Sequence, residues 1–188
     1  MRVEVWYRKD IGDGRASRLL SSFQAGALPE LLAIHIRDVY IVRGVPGLTI
    51  HQLEELVCDG VAQQTVCDDE IEDDSQIESS PWNLLVEVIA KPGVTDPVAI
   101  TLRGALHSVL GHQVPESALI QTARQYRLSL TNNKIDYKKV EVLFNPLIQI
   151  GVLISREEWI RGRRPDSEYP TMNIGNKGSE LVKFSLGK

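Results

Sequence analysis

Apolar and polar positions alternate from Val3 to Arg8: Val3, Val5 and Tyr7 interleave with Glu4, Trp6 and Arg8. That period of two predicts a strand with one better-buried face. The period then changes. Ala16, Leu19, Leu20 and Phe23 follow helical spacing behind Asp13, a capping residue, and Gly26 marks a stop. Leu31 to Val42 is rich in Ile, Val and Tyr and predicts one long strand, bent or split near Arg37-Asp38, before Gly44-Val45-Pro46-Gly47 breaks the chain. Thr49 and Gln52 form a capping-box pattern ahead of Ile50, Leu53, Leu56 and Val57, a short second helix. A strand from Gln63 to Cys67 closes this series.

The series then repeats. Leu84, Val86, Val88 and Ala90 predict a strand, and Thr95-Asp96-Pro97 starts a helix, since proline lacks an N–H that would go unbonded in the first turn. Ala99, Leu102, Leu106, Val109 and Leu110 line that helix and Gly111 ends it. A strand through Tyr126, Leu128 and Leu130 follows, a turn at Asn132-Asn133, a short helix from Asp136 to Phe144 and a last strand from Ile148 to Ile154.

The residues repeat as well as the elements. Val3-Glu4-Val5 returns as Val86-Glu87-Val88, a spacing of 83 that also carries Asp13 onto Asp96 and Leu19 onto Leu102. Tyr40 falls on Tyr126 at a spacing of 86, and Cys58 to Gln63 falls on Phe144 to Gln149. A three-residue insertion accounts for the change of spacing. The chain reads as one small unit written twice. Residues 1–70 form the first copy, 71–81 an acidic linker, 82–155 the second copy, and 156–188 a polar tail or inter-domain linker. Each copy reads β-α-β(β)-α-β, which predicts an α+β fold of tandem ferredoxin-like units. Their bare sheet faces, including Trp6 and Ile89, would be covered by packing face to face or by joining edges.

Composition narrows the function. A net charge of −4 and a pI of about 5.6 give no general attraction to nucleic acid or anionic lipid. No apolar run is long enough for a membrane span, and the start of the chain lacks the basic and apolar segments of a secretory signal. Cys58 and Cys67 predict buried free thiols in a reducing cytoplasm.

Catalytic chemistry finds little footing. Neither cysteine has a nucleophile elbow or an assignable histidine base, and His35, His51, His107 and His112 are scattered singly, without metal-ligand spacing. Gly12-Asp13-Gly14 lacks the longer glycine pattern and Lys-Ser/Thr of a phosphate loop, so it reads as turn and cap. Arg156, Arg161, Arg163 and Arg164 form the basic cluster, without the spaced aromatics of an RNA platform. No catalytic, cofactor-binding or metal-ligating residue is therefore expected. Arg37, Tyr40, Arg124 and Tyr126, on the two long strands, are the candidate partner-interface residues, Arg37 and Arg124 as exposed positions, with core packing an equal reading of Tyr40 and Tyr126.

Two motifs carry a resemblance. Lys91-Pro92-Gly93-Val94-Thr95-Asp96-Pro97, between a strand and a helix bearing Ala105-Leu106, resembles the start of the small S subunit of phosphoribosylformylglycinamidine synthase. Leu143-Phe144-Asn145-Pro146-Leu147-Ile148 resembles that family's Leu-x-Asn-Pro-x-Ile element. Arg37-Asp38-Val39-Tyr40 and Asp59-Gly60-Val61-Ala62-Gln63 look like the amino-terminal region of the fused, long-chain synthases. Ala99 departs from the family's usual glycine, and Arg124-Gln125 from its Gly-Lys. The resemblance spans about residues 1–155 and implies a covalent version of the S-subunit dimer. It implies a cytoplasmic, non-catalytic module of purine biosynthesis that bridges a glutaminase and an ATP-dependent ligase so that ammonia passes between them. ATP and Mg2+ are implied for the complete enzyme, none for this chain. Neither nucleic acid nor membrane is an expected partner. A ligand-binding regulatory module of paired ferredoxin-like units is the alternative.

Overall fold

A computed structural model describes residues 1–67, 82–131, 137–165 and 169. The acidic linker at 71–81, the Asn132-Asn133 turn and most of the tail lie outside the described residues.

The first half contributes β1 (Arg2–Tyr7), α1 (Gly14–Gln24), β2 (Leu31–Arg43), α2 (Ile50–Val57) and β3 (Gln63–Cys67). The second contributes β4 (Leu84–Ala90), α3 (Pro97–Leu110), β5 (Leu119–Leu130), α4 (Tyr137–Val140) and β6 (Gln149–Ser155), then a short helix α5 (Arg156–Ile160). The caps are those the sequence predicts. Asp13 accepts from the Arg15 N–H, Thr49 and Gln52 close a reciprocal capping box, and Asp96 accepts from Val98 and Ala99 with Pro97 in the first turn. Gly111 ends α3 at φ 68°, a left-handed conformation that glycine adopts without Cβ strain.

All six strands form one antiparallel sheet in the order β3-β1-β2-β5-β4-β6. The order is a palindrome of the two halves, and the register keeps the repeat. Val3 pairs with Tyr40 and Val86 with Tyr126, while Val3 pairs with Cys67 and Val86 with Leu153. Each second pair is the first moved by 83 and 86 positions. The halves join along their edges, through β2 and β5.

The middle strand runs unbroken from Leu31 to Arg43, with a bulge between Leu31 and Ala33 in place of the expected break at Arg37-Asp38. Each half therefore supplies three strands, whereas a ferredoxin-like unit has four. β2 stays whole because it is paired with β5 along its length, from Leu31 opposite Leu130 to Arg43 opposite Leu119.

Helices cover one sheet face and interlock the halves. Phe23 of α1 shares a core with Leu84, Val86 and Val88 of β4. Reciprocally, Leu102 and Leu106 of α3 share a core with Val3 and Val5 of β1. Leu106 is Phe23 moved by 83 positions, so the exchange obeys the repeat. Separating the halves would expose both cores, which ties the two copies into one folding unit.

On the other face, Val39, Ile41, Ile89 and Ala123 form one apolar cluster. Trp82, Leu85, Val152 and Ile154 form a second, with Trp159 and Tyr169 against it. Between them lies a buried polar network that β1's alternation does not reveal. Glu4 and Glu87, the carboxylates that repeat at a spacing of 83, are 5% and 0% exposed. Arg2 and Gln125 bond both, Arg37 Nη1 reaches Glu4 at 3.2 Å, and Arg127 Nη2 lies 3.6 Å from it. Burial alone would raise the Glu4 pKa, but Arg2, Arg37 and Arg127 hold it at about 2. Glu87 goes the other way: burial outweighs Arg2 and raises it. Among the described residues, no helix is long and apolar enough to cross a membrane.

Candidate functional site at the junction of the halves

Asp38 and Arg124 lie directly opposite each other where β2 meets β5. They are also equivalent positions, 86 residues apart, as Tyr40 and Tyr126 are. The pseudo-twofold axis therefore passes between them. In a dimer of identical chains this position would face its own copy. The duplicated chain instead places a carboxylate against a guanidinium, Arg124 Nε donating to Asp38 Oδ1 at 3.1 Å.

Around this pair the two halves differ. In the first, Arg15 reaches from α1 to Asp38 Oδ2 at 2.7 Å while also bonding Asp13, and it lies 5.6 Å from the centre of the Tyr7 ring. In the second, Val98 stands where Arg15 does and cannot make that reach. Asp96 turns inward instead, its Oδ2 accepting from the Thr122 N–H at 3.0 Å and the Thr122 hydroxyl at 2.8 Å. The space that Arg15 occupies in one half is open in the other, as a cavity of about 430 Å³ lined by Asp38, Tyr40, Asp96, Thr122, Arg124 and Tyr126.

Three of the four residues expected at an interface thus line one cavity. Tyr40 is half-buried, and burial followed by the nearby Asp38 raises its hydroxyl pKa. Tyr126 is 7% exposed and packs in the core beside α1. The Arg124 side chain is half exposed. Arg37, expected at an exposed position, is 1% exposed on the opposite face, its guanidinium 4.0 Å from the Trp6 ring centre. Its partner Glu4 also points to that face, because residues an odd number of places apart on a strand alternate sides.

Two phenols, a guanidinium and a threonine line the cavity, and its carboxylates are committed: Asp38 to two arginines, Arg124 among them, and Asp96 to four donors, two of them from Thr122. The cysteines are partly exposed, contrary to the expectation of burial. Burial, then Asp59 and Glu54, raises the Cys58 pKa, and Cys67 Sγ donates to Glu54 Oε1 at 3.0 Å. The raised pKa favours the thiol of Cys58 over its nucleophilic thiolate. Among the described residues, no group of three His, Cys, Asp or Glu is placed to hold a metal.

The buried network on the opposite face escaped residue-by-residue reading. A signal existed, in a glutamate held between valines in both copies. Beside the cavity, the Lys91-to-Pro97 and Leu143-to-Ile148 segments meet. Lys91 N donates to Ile148 O at 2.9 Å, and Lys91 Nζ bonds Pro146 O. No protein-family model matches the chain, and no curated protein matches it.

Proposed function

We propose that this chain is the S-like, non-catalytic bridging module of phosphoribosylformylglycinamidine synthase in purine biosynthesis, built as a covalent dimer of two related units. The module holds the ligase and the glutaminase in register, so that ammonia released from glutamine reaches the ligase without escaping to water. ATP and Mg2+ belong to the ligase component, and the setting is cytoplasmic. The observation that carries the reading is the meeting of the Lys91-to-Pro97 and Asn145-to-Ile148 motifs. Two segments about fifty residues apart, each resembling the family independently, form one bonded corner. The in-register doubling of the sheet supports the covalent-dimer part.

Reconstitution tests it. Adding the chain to matching ligase and glutaminase components is expected to restore glutamine-dependent amidine formation while leaving ammonia-dependent formation unchanged.

A second reading, a ligand-binding regulatory module, draws on the junction cavity, whose size falls within the usual range for small-molecule sites. It expects saturable small-molecule binding by the isolated chain, lost when Val98→Arg returns the side chain that fills this space in the first half.

A further inference from the structure

The loops leading into the outer strands β3 and β6 are built alike from nearly unrelated residues. In the first, Asp59 Oδ1 accepts from Val61 N at 2.9 Å, and Gln63 Oε1 accepts from Asp59 N at 2.9 Å. In the second, Asn145 Oδ1 accepts from Leu147 N at 3.0 Å, and Gln149 Oε1 accepts from Asn145 N at 2.8 Å. Backbone bonds from Gln63 N to Asp59 O and from Gln149 N to Asn145 O close each turn, at 2.7 and 2.8 Å. A cation just past the neighbouring strand, β1 or β4, ties down each loop: Arg8 Nη2 bonds Gly60 O, and Lys91 Nζ bonds Pro146 O. Arg8 and Lys91 are themselves equivalent, 83 residues apart.

Each clip carries one strongly exposed apolar side chain at the same position, and the second also leaves Ile148 45% exposed beside it. Val61 is 82% exposed and Leu147 is 81% exposed. Single exposed apolar residues are ordinary, but these two share a position, a rigid support and an adjacent cation. The clip needs the Asp or Asn and the Gln. Nothing in it needs an apolar residue at the tip, where a polar one would be better solvated. A tip already fixed by its own loop loses little conformational freedom on binding.

We propose that Val61 and Leu147 are twin docking knobs, one for each of two partner proteins. Each knob seats in an apolar socket whose acidic rim faces Arg8 or Lys91. This rests on the bridging reading, under which the two partners are the ligase and the glutaminase. The knobs precede the two outer strands of a six-stranded sheet, which lie five spacings of ~4.8 Å, about 24 Å, apart and run in opposite directions, so the knobs are also at opposite ends of the strands. One socket cannot hold both.

The test uses the full chain with Val61→Asp, Leu147→Asp and the double variant, measuring affinity for each component separately by calorimetry and stability by thermal unfolding. Each single variant is expected to lose about tenfold or more in affinity for one component and to keep the other, with opposite choices and an unchanged melting temperature. The double variant loses both, and Val61→Leu and Leu147→Val retain both. Should aspartate disturb the fold, Val61→Ser and Leu147→Ser carry the same comparison. Binding by the wild-type chain that no variant weakens, or that each single variant weakens equally for both components, overturns the knobs and leaves the bridging role standing. A wild-type chain that binds neither component overturns both.

Discussion

Replacing Glu4 by glutamine tests the buried network, because it removes the charge while nearly keeping the shape. Glu4 Oε1 accepts from Arg2 at 2.7 Å and Gln125 at 3.2 Å, and Oε2 faces Arg37 at 3.2 Å and Arg127 at 3.6 Å. The glutamine keeps one acceptor and turns an amide toward arginines. The fall of the Glu4 pKa from 4.5 to about 2 corresponds to about 3 kcal/mol of folding stability. Removing one partner from a buried ion network costs about 3–5 kcal/mol, in the same range. At an urea m-value of about 2 kcal/mol/M, Glu4→Gln should lower the unfolding midpoint by about 1.5 M at pH 7. The sign of the pH effect follows from the direction of each shift. A depressed carboxylate contributes stability above its unfolded pKa and loses it as pH falls through the folded value, so the wild type should weaken from pH 4.5 toward pH 2. Most of that acid sensitivity should vanish in Glu4→Gln. The lowered Glu30, Glu54 and Glu158 lie near the surface, where solvent screens them. Glu87, raised by burial, acts oppositely, and its contribution is lost as pH rises through its folded pKa. Tryptophan fluorescence during urea titration across pH measures all of this. A midpoint within about 0.3 M of wild type, or undiminished acid sensitivity, would refute the reasoning.

At the pseudo-twofold axis, Arg124→Asp sets two carboxylates opposite each other and should cost about 1 kcal/mol. Adding Asp38→Arg rebuilds the axis pair with its charges exchanged, so a double-mutant cycle should give a favourable coupling even though Arg15 then faces an arginine; strict additivity would contradict the pairing. For the junction cavity, Val98→Arg should leave stability within about 0.5 kcal/mol, because Val98 is 51% exposed. Chemical unfolding of the variant checks this, and a larger loss would show that the open space matters to the fold.

Much of the fold was legible from local patterns. Strand and helix periods, the Asp13, Thr49 and Asp96 caps and the Gly111 stop all act over a few residues, and the 83 and 86 spacings reappear in the register of the sheet. What stayed hidden depends on distant partners. Glu4 and Trp6 look like the better-solvated side of β1 until arginines from β2 and β5 arrive over them. The opening of β5 escaped notice because Gln121-Thr122-Ala123 lacks apolar alternation; Thr122 instead meets Asp96 from the head of α3. Helix α5 did carry a signal, since Ser155 and Glu158 form a reciprocal capping box, but it sits at the edge of a stretch whose composition reads as tail. The unfilled cavity was the least legible feature, because it depends on comparing Arg15 with Val98 across the axis.

The bridging role is the central claim, and glutamine-dependent against ammonia-dependent amidine formation, measured with and without this chain in a reconstituted synthase, addresses it most directly. The account predicts that only the glutamine-dependent rate requires the chain. Full glutamine-dependent activity in its absence, or an ammonia-dependent rate that falls equally without it, would contradict the account.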